Sequence, residues 1–242
     1  MGHTMSADPP RLCLFNGPYL VLDGEPVALA DGAKRVLAFV ALRESLVDRG
    51  VAARTLWPGL APPAACGRLR TELWRMRGAL PRLIAATKCT ITLHPEVGVD
   101  LRDRYGWAAR LVGGSATEAD LRALPALDEF ELLPGWADSW VILARERIRQ
   151  RLLHGVEALV ARLLDERRTA EAVDAALLVA GIDPLRESAQ RALALAHLTA
   201  GNVADARRTY DEYRTRLRRE LGVDPSPEFT ALIAVHPGAA AR

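Results

Sequence analysis

Apolar residues alternate with the period of a β-strand only in about the first 100 residues of this 242-residue chain. Short apolar runs occupy residues 12–15, 19–22 and 27–29, and Asp23-Gly24 between the last two runs is the strongest hairpin signal of the sequence. Three strands of this length cannot bury a core alone, so a helix must cover them. The chain is therefore expected to begin with a small α+β fold.

Helical periodicity follows these strand segments, with apolar side chains recurring near the 3.6-residue period of an α-helix. The last helix begins after Pro62-Pro63, a good start signal, and ends at Pro81. The predicted helices cover residues 33–46, 51–57 and 64–80.

Alternation then returns and predicts a β-hairpin directly after the third helix. Its strands are residues 83–86 and 89–93, with Thr87-Lys88 at the tip, and one more strand is predicted at residues 97–101. The predicted order is therefore three strands, three helices and a hairpin.

The remainder of the chain is predicted to be helical. Residues 113–126 contain a Gly-Gly-Ser run and are expected to form either a mobile loop or a short helix. Residues 136–235 have the pattern of a helical array.

An internal repeat of 34 residues runs through this array. Asp183-Pro184 ends the first unit and Asp224-Pro225 the second, 41 residues later, which predicts a last helix about two turns longer than the repeat requires. A period of 34 is typical of tetratricopeptide helix pairs; the alternative is a generic helical array of Ala and Leu with chance matches. The matching pairs are Ala158/Ala192, Leu164/Leu198, Ala170/Ala204, Glu171/Asp205 and Ala172/Ala206.

Composition excludes several classes of protein. No run approaches the ~20 apolar residues of a membrane span, and no hydrophobic segment follows the start, so a cytoplasmic protein without membrane contact is expected. The cysteines, Cys13, Cys66 and Cys89, are odd in number and far apart, which favours neither a disulfide framework nor a metal site. No cofactor is expected.

The charge distribution indicates where an anionic partner would bind. Residues 11–102 carry 13 basic and 8 acidic side chains, a local charge of +5, whereas the whole chain has a net charge of only +2. An anionic partner is therefore expected to bind the first part of the chain.

The predicted helix 64–80 separates its residue types by face when they are placed at 100° per residue. The core-facing stripe is predicted to be Leu69, Leu73, Met76 and Leu80, opposite Gly67, Thr71 and Gly78. Arg68 and Arg75 lie on one shoulder, and Arg70, Trp74 and Arg77 lie on the other. The major groove of DNA admits one helix, and Arg pairs with guanine or with phosphates.

The alternative interpretation of this helix is a solvated amphipathic helix, on which Arg is common. The hairpin that follows favours DNA binding, because a winged helix-turn-helix places such a wing, here with Lys88 at its tip, against an adjacent groove or phosphate.

No catalytic constellation is evident, so the chain is not expected to be an enzyme. The histidines lack the spacing of a zinc site, and the serines Ser115, Ser139 and Ser188 lack a nucleophile-elbow context. Asp128, Glu129 and Glu131 form a carboxylate cluster that is predicted to be a solvated face rather than a general acid/base pair.

Several motifs resemble those of one family, the Streptomyces antibiotic regulatory proteins, or SARPs. Leu-Trp-Pro at 56–58 and Leu-Arg-Thr-Glu-Leu-Trp-Arg-Met-Arg at 69–77 resemble the family's OmpR-like winged helix. The blocks at 132–136, 145–147, 183–187 and 218–228 are similar to its bacterial transcriptional activator domain. The resemblance covers about residues 11–235.

The resemblance implies a sequence-specific transcription activator, plausible for a secondary-metabolite gene cluster, that binds direct repeats in promoter DNA and recruits RNA polymerase through its sigma factor and other subunits. Gly67 and Gly78 depart from the polar or basic residues of many members. No Gly-x-x-x-x-Gly-Lys-Ser/Thr loop is present, so nucleotide hydrolysis is not expected. The implied DNA-binding residues are Arg68, Arg70, Thr71, Trp74, Arg75 and Arg77, with Lys88 in the wing.

The predicted fold is thus an α+β winged helix-turn-helix (OmpR-like) followed by an all-α tetratricopeptide-like domain. Its divisions are a disordered head at 1–10, the DNA-binding domain at 11–102, the activator domain at 103–235 and a tail at 236–242. The helical domain is predicted either to bind a partner or form a homodimer, or to brace the first domain. The alternative function is an interaction scaffold whose winged helix no longer binds DNA.

Overall fold

The computed structural model of the protein describes residues 8–43, 45–80, 82–123 and 131–235. The described residues form a mostly helical protein with two small sheets. They divide into two compact units, the first made of residues up to 104 with 131–148 and the second of residues 105–123 with 149–235. The predicted tail, and all but the end of the predicted head, lie outside the described residues.

The first unit contains the strands, each only a few residues long. The strands are β1 (Arg11–Cys13), β2 (Tyr19–Leu22), β3 (Glu25–Val27), β4 (Val47–Asp48), β5 (Ile84–Ala86), β6 (Thr90–Leu93) and β7 (Gly98–Val99). The larger sheet has the order β3-β2-β1-β7, in which β1 pairs antiparallel with β2 and parallel with β7. The smaller sheet has the order β4-β6-β5.

The helices α1 (Asp31–Arg43), α2 (Arg49–Leu56) and α3 (Pro62–Ala79) lie between β3 and β5 in the chain. The predicted element types are therefore confirmed here, with the helix ends shifted by one to three residues. Strand β4 was not predicted, because two residues carry no periodicity; Asp48 at its end accepts a hydrogen bond from the Val51 N–H and caps α2.

The predicted strand 97–101 is shorter in the structure, because helix α4 (Asp100–Val112) begins within it. Asp100 accepts hydrogen bonds from the Leu14 and Phe15 N–H groups, and burial raises the pKa of its carboxyl group. Residues 113–126 are expected from the sequence to form either a mobile loop or a short helix. Their described part contains a short helix, α5 (Glu118–Arg122), which begins with a capping box of Thr117 and Asp120.

The later helices are α6 (Ser139–Asp165), α7 (Thr169–Ile182), α8 (Glu187–Thr199), α9 (Val203–Leu221) and α10 (Pro227–Ala234). The second unit contains α6 from residue 149 onward and all of α7–α10. Helix α9 begins 34 residues after α7, as the repeat predicts. Helix α9 has 19 residues against 14 for α7, so it is longer by more than one turn, somewhat less than the two turns predicted.

The block at residues 218–228 forms the turn between α9 and α10. Gly222 ends α9 with a φ of 72°, a left-handed conformation that glycine adopts without strain. Arg218 Nε lies 2.6 Å from Asp224 Oδ1, and the Ser226 hydroxyl caps α10 by accepting from the Phe229 N–H. Phe229 of α10 is fully buried, and its ring contacts those of Tyr210 and Tyr213 on α9.

The first compact unit breaks at residue 104, near the predicted boundary at 102/103, but it also takes in residues 131–148. Leu132 pairs with Phe15 in an isolated antiparallel bridge, and the Leu133 N–H donates to the Leu14 carbonyl at 3.0 Å. The Asn16 N–H donates to the Glu131 carbonyl at 3.1 Å. This pairing joins residues more than a hundred positions apart and leaves no local sequence signal.

Within the described residues, no helix is both long enough and apolar enough to cross a membrane.

Candidate nucleic-acid interface

Helix α3 is anchored by its apolar stripe, as the periodicity predicts. Leu69 and Met76 are buried, while Leu73 and Leu80 are half-buried. The helix begins at two prolines, whose missing N–H groups are not needed in the first turn. Burial of this stripe fixes the rotation of α3 about its own axis. The two sides of the helix that carry the arginines therefore face outward.

The face of α3 opposite the core is open. Thr71 is exposed, and its hydroxyl donates to the Gly67 carbonyl at 3.1 Å, within the helix. A Cβ added to Gly67 or Gly78 would meet nothing within 4 Å. Another molecule could therefore approach the backbone of α3 closely along this face.

A cleft of about 410 Å³ lies between α3 and the β5–β6 hairpin, and we call it the α3–hairpin cleft. Trp74 stands on its rim with 76% of its surface exposed. Among the residues that the structure describes, Arg70, Arg77 and Arg82 have no carboxylate within ion-pair distance. The cleft is lined by the basic residues Arg49, Arg70, Arg77 and Arg82, and by Leu73, Trp74, Met76, Leu80, Ile84 and Ala86.

Arg49 at the start of α2 holds the tip of the hairpin. Its backbone N–H donates to the Cys89 carbonyl at 2.8 Å, and its Nη1 donates to the Thr87 carbonyl at 3.0 Å. The Thr87 hydroxyl also accepts hydrogen bonds from the N–H groups of Cys89 and Thr90. Lys88, predicted at the tip, is exposed on this ordered turn.

The other shoulder of α3 carries a feature that sequence reasoning missed. Arg68 and Arg75 both contact the carboxylate of Glu72, at 3.1 Å and 3.4 Å, and only 3% of the Glu72 side chain is exposed. A signal was present in the sequence, because Glu72 lies one turn before Met76 and one turn after Leu69, at the edge of the core-facing stripe.

The other candidate chemistries receive no support from geometry. Within the described ranges, no group of three His, Cys, Asp or Glu side chains is placed to hold a metal. Asp128 and Glu129 of the predicted carboxylate cluster lie outside the described residues, and Glu131 is exposed. All three cysteines are free thiols; burial raises the pKa of Cys13.

Comparison with known proteins decides the family. A profile of the bacterial transcriptional activator domain matches residues 108–235, more than half of the chain. The chain belongs to the SARP family of transcription activators. The resemblance drawn from the motifs is thus confirmed.

One curated protein and one solved structure are similar to this SARP-family chain. Regulatory protein AfsR of Streptomyces coelicolor is 31% identical over 222 residues, which is 87% of this chain and 22% of AfsR. The structure of Mycobacterium tuberculosis EmbR in complex with a low-affinity phosphopeptide superposes with a TM-score of 0.73 at 21% identity, over 95% of this chain and 65% of the EmbR chain. The EmbR likeness shows a shared fold. The SARP-family chain thus spans about a fifth of AfsR and just under two thirds of EmbR.

Proposed function

We propose that this chain is a sequence-specific, DNA-binding transcription activator. In this proposal, α1–α3 and the β5–β6 hairpin act as an OmpR-like winged helix-turn-helix, and the later helices act as a tetratricopeptide-like activator domain. The observation that carries the proposal is the α3–hairpin cleft, where four arginines and an exposed tryptophan converge beside an exposed helix face.

The dimensions and surface of α3 suit the major groove. Its 18 residues give a length of about 27 Å at 1.5 Å per residue, and a B-form major groove admits a single α-helix. Gly67 and Gly78 allow the helix backbone to approach, and Thr71 between them can contact a thymine methyl group or a polar base edge.

The α3–hairpin cleft supplies the contacts that favour a polyanion. Arg70, Arg77 and Arg82 lack carboxylate partners in the described part of the chain, so their charge is available to phosphates. In this arrangement, α3 occupies the groove and the hairpin, with Lys88 at its tip, contacts the neighbouring backbone.

Family membership supports the remaining parts of the proposal. We propose that the protein binds direct repeats in a promoter, as a homodimer or as adjacent copies, and recruits RNA polymerase through contacts that include the sigma factor. A cytoplasmic location and control of a secondary-metabolite gene cluster are part of the same proposal.

The test is a titration of the full chain against a duplex that the protein itself selects from a random pool, repeated across salt concentrations. Each phosphate neutralised contributes a slope of about −0.9 in log K against log salt. We expect a steep negative slope for the wild-type chain. For the double variant Arg70→Ala/Arg77→Ala, we expect a weaker affinity and a shallower slope.

Arg191→Ala is the matched control, because Arg191 is an exposed arginine on α8. It should leave both the affinity and the slope unchanged. A flat salt dependence of the wild-type chain would contradict DNA binding and favour the alternative, an interaction scaffold, whose partner binding would survive the loss of Arg70 and Arg77.

A further inference from the structure

Glu72 is a buried carboxylate in the middle of an otherwise exposed basic shoulder of α3. Removing an ionised carboxylate from water is unfavourable unless charges and hydrogen bonds compensate for it. Two guanidinium groups do so here, because Arg68 Nε lies 3.1 Å and Arg75 Nη1 lies 3.4 Å from the same oxygen, Oε1. The three residues form a charge triad along one side of the helix.

The first turn of α1 lies against the same carboxylate. A Cβ added to Gly32 would overlap the carboxyl group of Glu72, so only glycine leaves room for it. Gly32 belongs to the first turn of α1, where the helix dipole favours negative charge. Glu72 is therefore held from two sides, by its own helix and by α1.

A fixed carboxylate also fixes the arginines that contact it. Arg68 uses its Nε and Arg75 its Nη1 for this contact, and their side chains are 51% and 61% exposed, so further N–H donors of each remain available to a ligand. A side chain that is already ordered loses less conformational entropy when it binds. Arg70 and Arg77, on the opposite shoulder, have no such tether among the described residues.

The carboxylate also lowers the charge of its shoulder. Two guanidinium groups with one carboxylate carry a net charge of about +1, so attraction to any phosphate backbone is weaker there than it would be without Glu72. Fixed planar donors with reduced net charge suit contacts to base edges better than contacts to phosphates. A guanine contact requires the guanidinium group in a defined plane.

We infer that Glu72 is a positioning residue that sets sequence discrimination, by orienting Arg68 and Arg75 toward base edges while the arginines of the α3–hairpin cleft contact phosphates. This inference rests on the DNA binding proposed above and names the shoulder of α3 that reads the sequence.

The test compares the full wild-type chain with Glu72→Gln on two duplexes, one selected by the wild-type chain from a random pool and one with the selected site scrambled. We expect Glu72→Gln to bind the scrambled duplex at least as tightly as the wild type, because a negative charge is lost. The ratio of affinities for the selected and scrambled duplexes should fall by about tenfold. An unchanged ratio overturns the inference.

Two further variants separate positioning from charge. Glu25→Gln removes one carboxylate from an exposed position in β3 and should leave the ratio unchanged. In an Arg68→Ala/Arg75→Ala background, Glu72→Gln should have no additional effect on the ratio, because Glu72 acts through these arginines. An additional loss there overturns the inference.

The variant Arg68→Lys/Arg75→Lys, which changes only two exposed side chains, keeps the test valid if Glu72→Gln does not fold. Lysine retains the charge but lacks the planar fork of the guanidinium group. The ratio of affinities for the selected and scrambled duplexes should therefore fall, while the affinity for the scrambled duplex is retained; an unchanged ratio overturns the inference. Failure of the proposed function is distinct, because a wild-type chain that selects no duplex fails before any variant is compared.

Discussion

Arg35 and Asp138 form an ion pair between residues 103 positions apart in the sequence, with Arg35 Nη1 3.0 Å from Asp138 Oδ2. The Nη2 of the same guanidinium donates to the Leu56 carbonyl at 2.9 Å. The two side chains are only 27% and 23% exposed. One arginine of α1 therefore joins the end of α2 to the segment before α6, within the first unit.

Asp138→Ala should destabilise the first unit measurably. The variant leaves a largely buried guanidinium without its carboxylate, and we expect the free energy of unfolding to fall by about 2 kcal/mol. Urea denaturation followed by circular dichroism measures the change. Asp103→Ala is the control, since Asp103 pairs with Arg11 but is 60% exposed, and it should change the free energy by no more than about 0.5 kcal/mol. Equal losses for the two variants would contradict the expectation.

Gly155→Val should destabilise the second unit through overpacking. An added Cβ at Gly155 would lie 2.8 Å from the Ala108 Cβ and 3.2 Å from the Trp107 ring, so α4 and α6 would have to separate there. The expected loss is about 2 kcal/mol, by thermal or urea unfolding.

Gly181→Ala is the matched control for this packing argument. A Cβ at Gly181 would meet nothing within 4 Å, and the residue is exposed near the end of α7. Replacing a helical glycine by alanine in open space should stabilise the protein by up to about 1 kcal/mol. If Gly181→Ala also destabilised the protein, the loss of stability in Gly155→Val could not be attributed to the lack of space at Gly155.

The core and the basic shoulders of α3 could be predicted from the sequence because both follow from local information. Two prolines mark its start, and the helical period separates Leu69 and Met76 from the arginines. The place of Glu72 at the edge of the core-facing stripe signals its burial but does not establish it. A charged residue is normally assigned to solvent, and burial here depends on the two arginines that contact Glu72 and on α1, which packs against it through Gly32.

Long-range pairing was equally beyond sequence reasoning. Residues 131–133 lie in a part of the sequence that is predicted to be helical, yet their backbone pairs with residues 14–16. The tie between Arg49 and the turn at Thr87 is of the same kind. Such contacts depend on how elements meet in space, whereas periodicity describes each element separately.

Asp120 should make the second unit sensitive to acid. Hydrogen bonds from the Arg110 guanidinium and the Thr117 N–H hold the pKa of this carboxyl group well below its ordinary value of 3.8. A lowered pKa in the folded state contributes stability that is present above about pH 4 and is lost as the pH falls below that value.

Asp120→Asn should therefore be less stable than the wild type at pH 7, and the difference should shrink as the pH falls from about 5 to 2.5. Urea denaturation across this range measures it. Asp174→Asn, an exposed carboxylate on α7, should show no such convergence. A stability difference for Asp120→Asn that is constant with pH would contradict the linkage.

Trp74 gives a spectroscopic test of where DNA binds. With 76% of its surface exposed, it stands beside the arginines of the α3–hairpin cleft, and an exposed aromatic side chain in such a position is typical of a binding hot spot. A bound duplex should shield it, so acrylamide quenching of tryptophan fluorescence should decrease when the selected duplex is added. Trp74→Phe should abolish that decrease, whereas Trp57→Phe, at a half-buried position, should retain it.

Trp74→Ala should weaken binding by about tenfold, because an aromatic contact of this kind contributes about 1–2 kcal/mol. A complex that forms at full affinity with unchanged quenching would mean that the duplex binds away from α3.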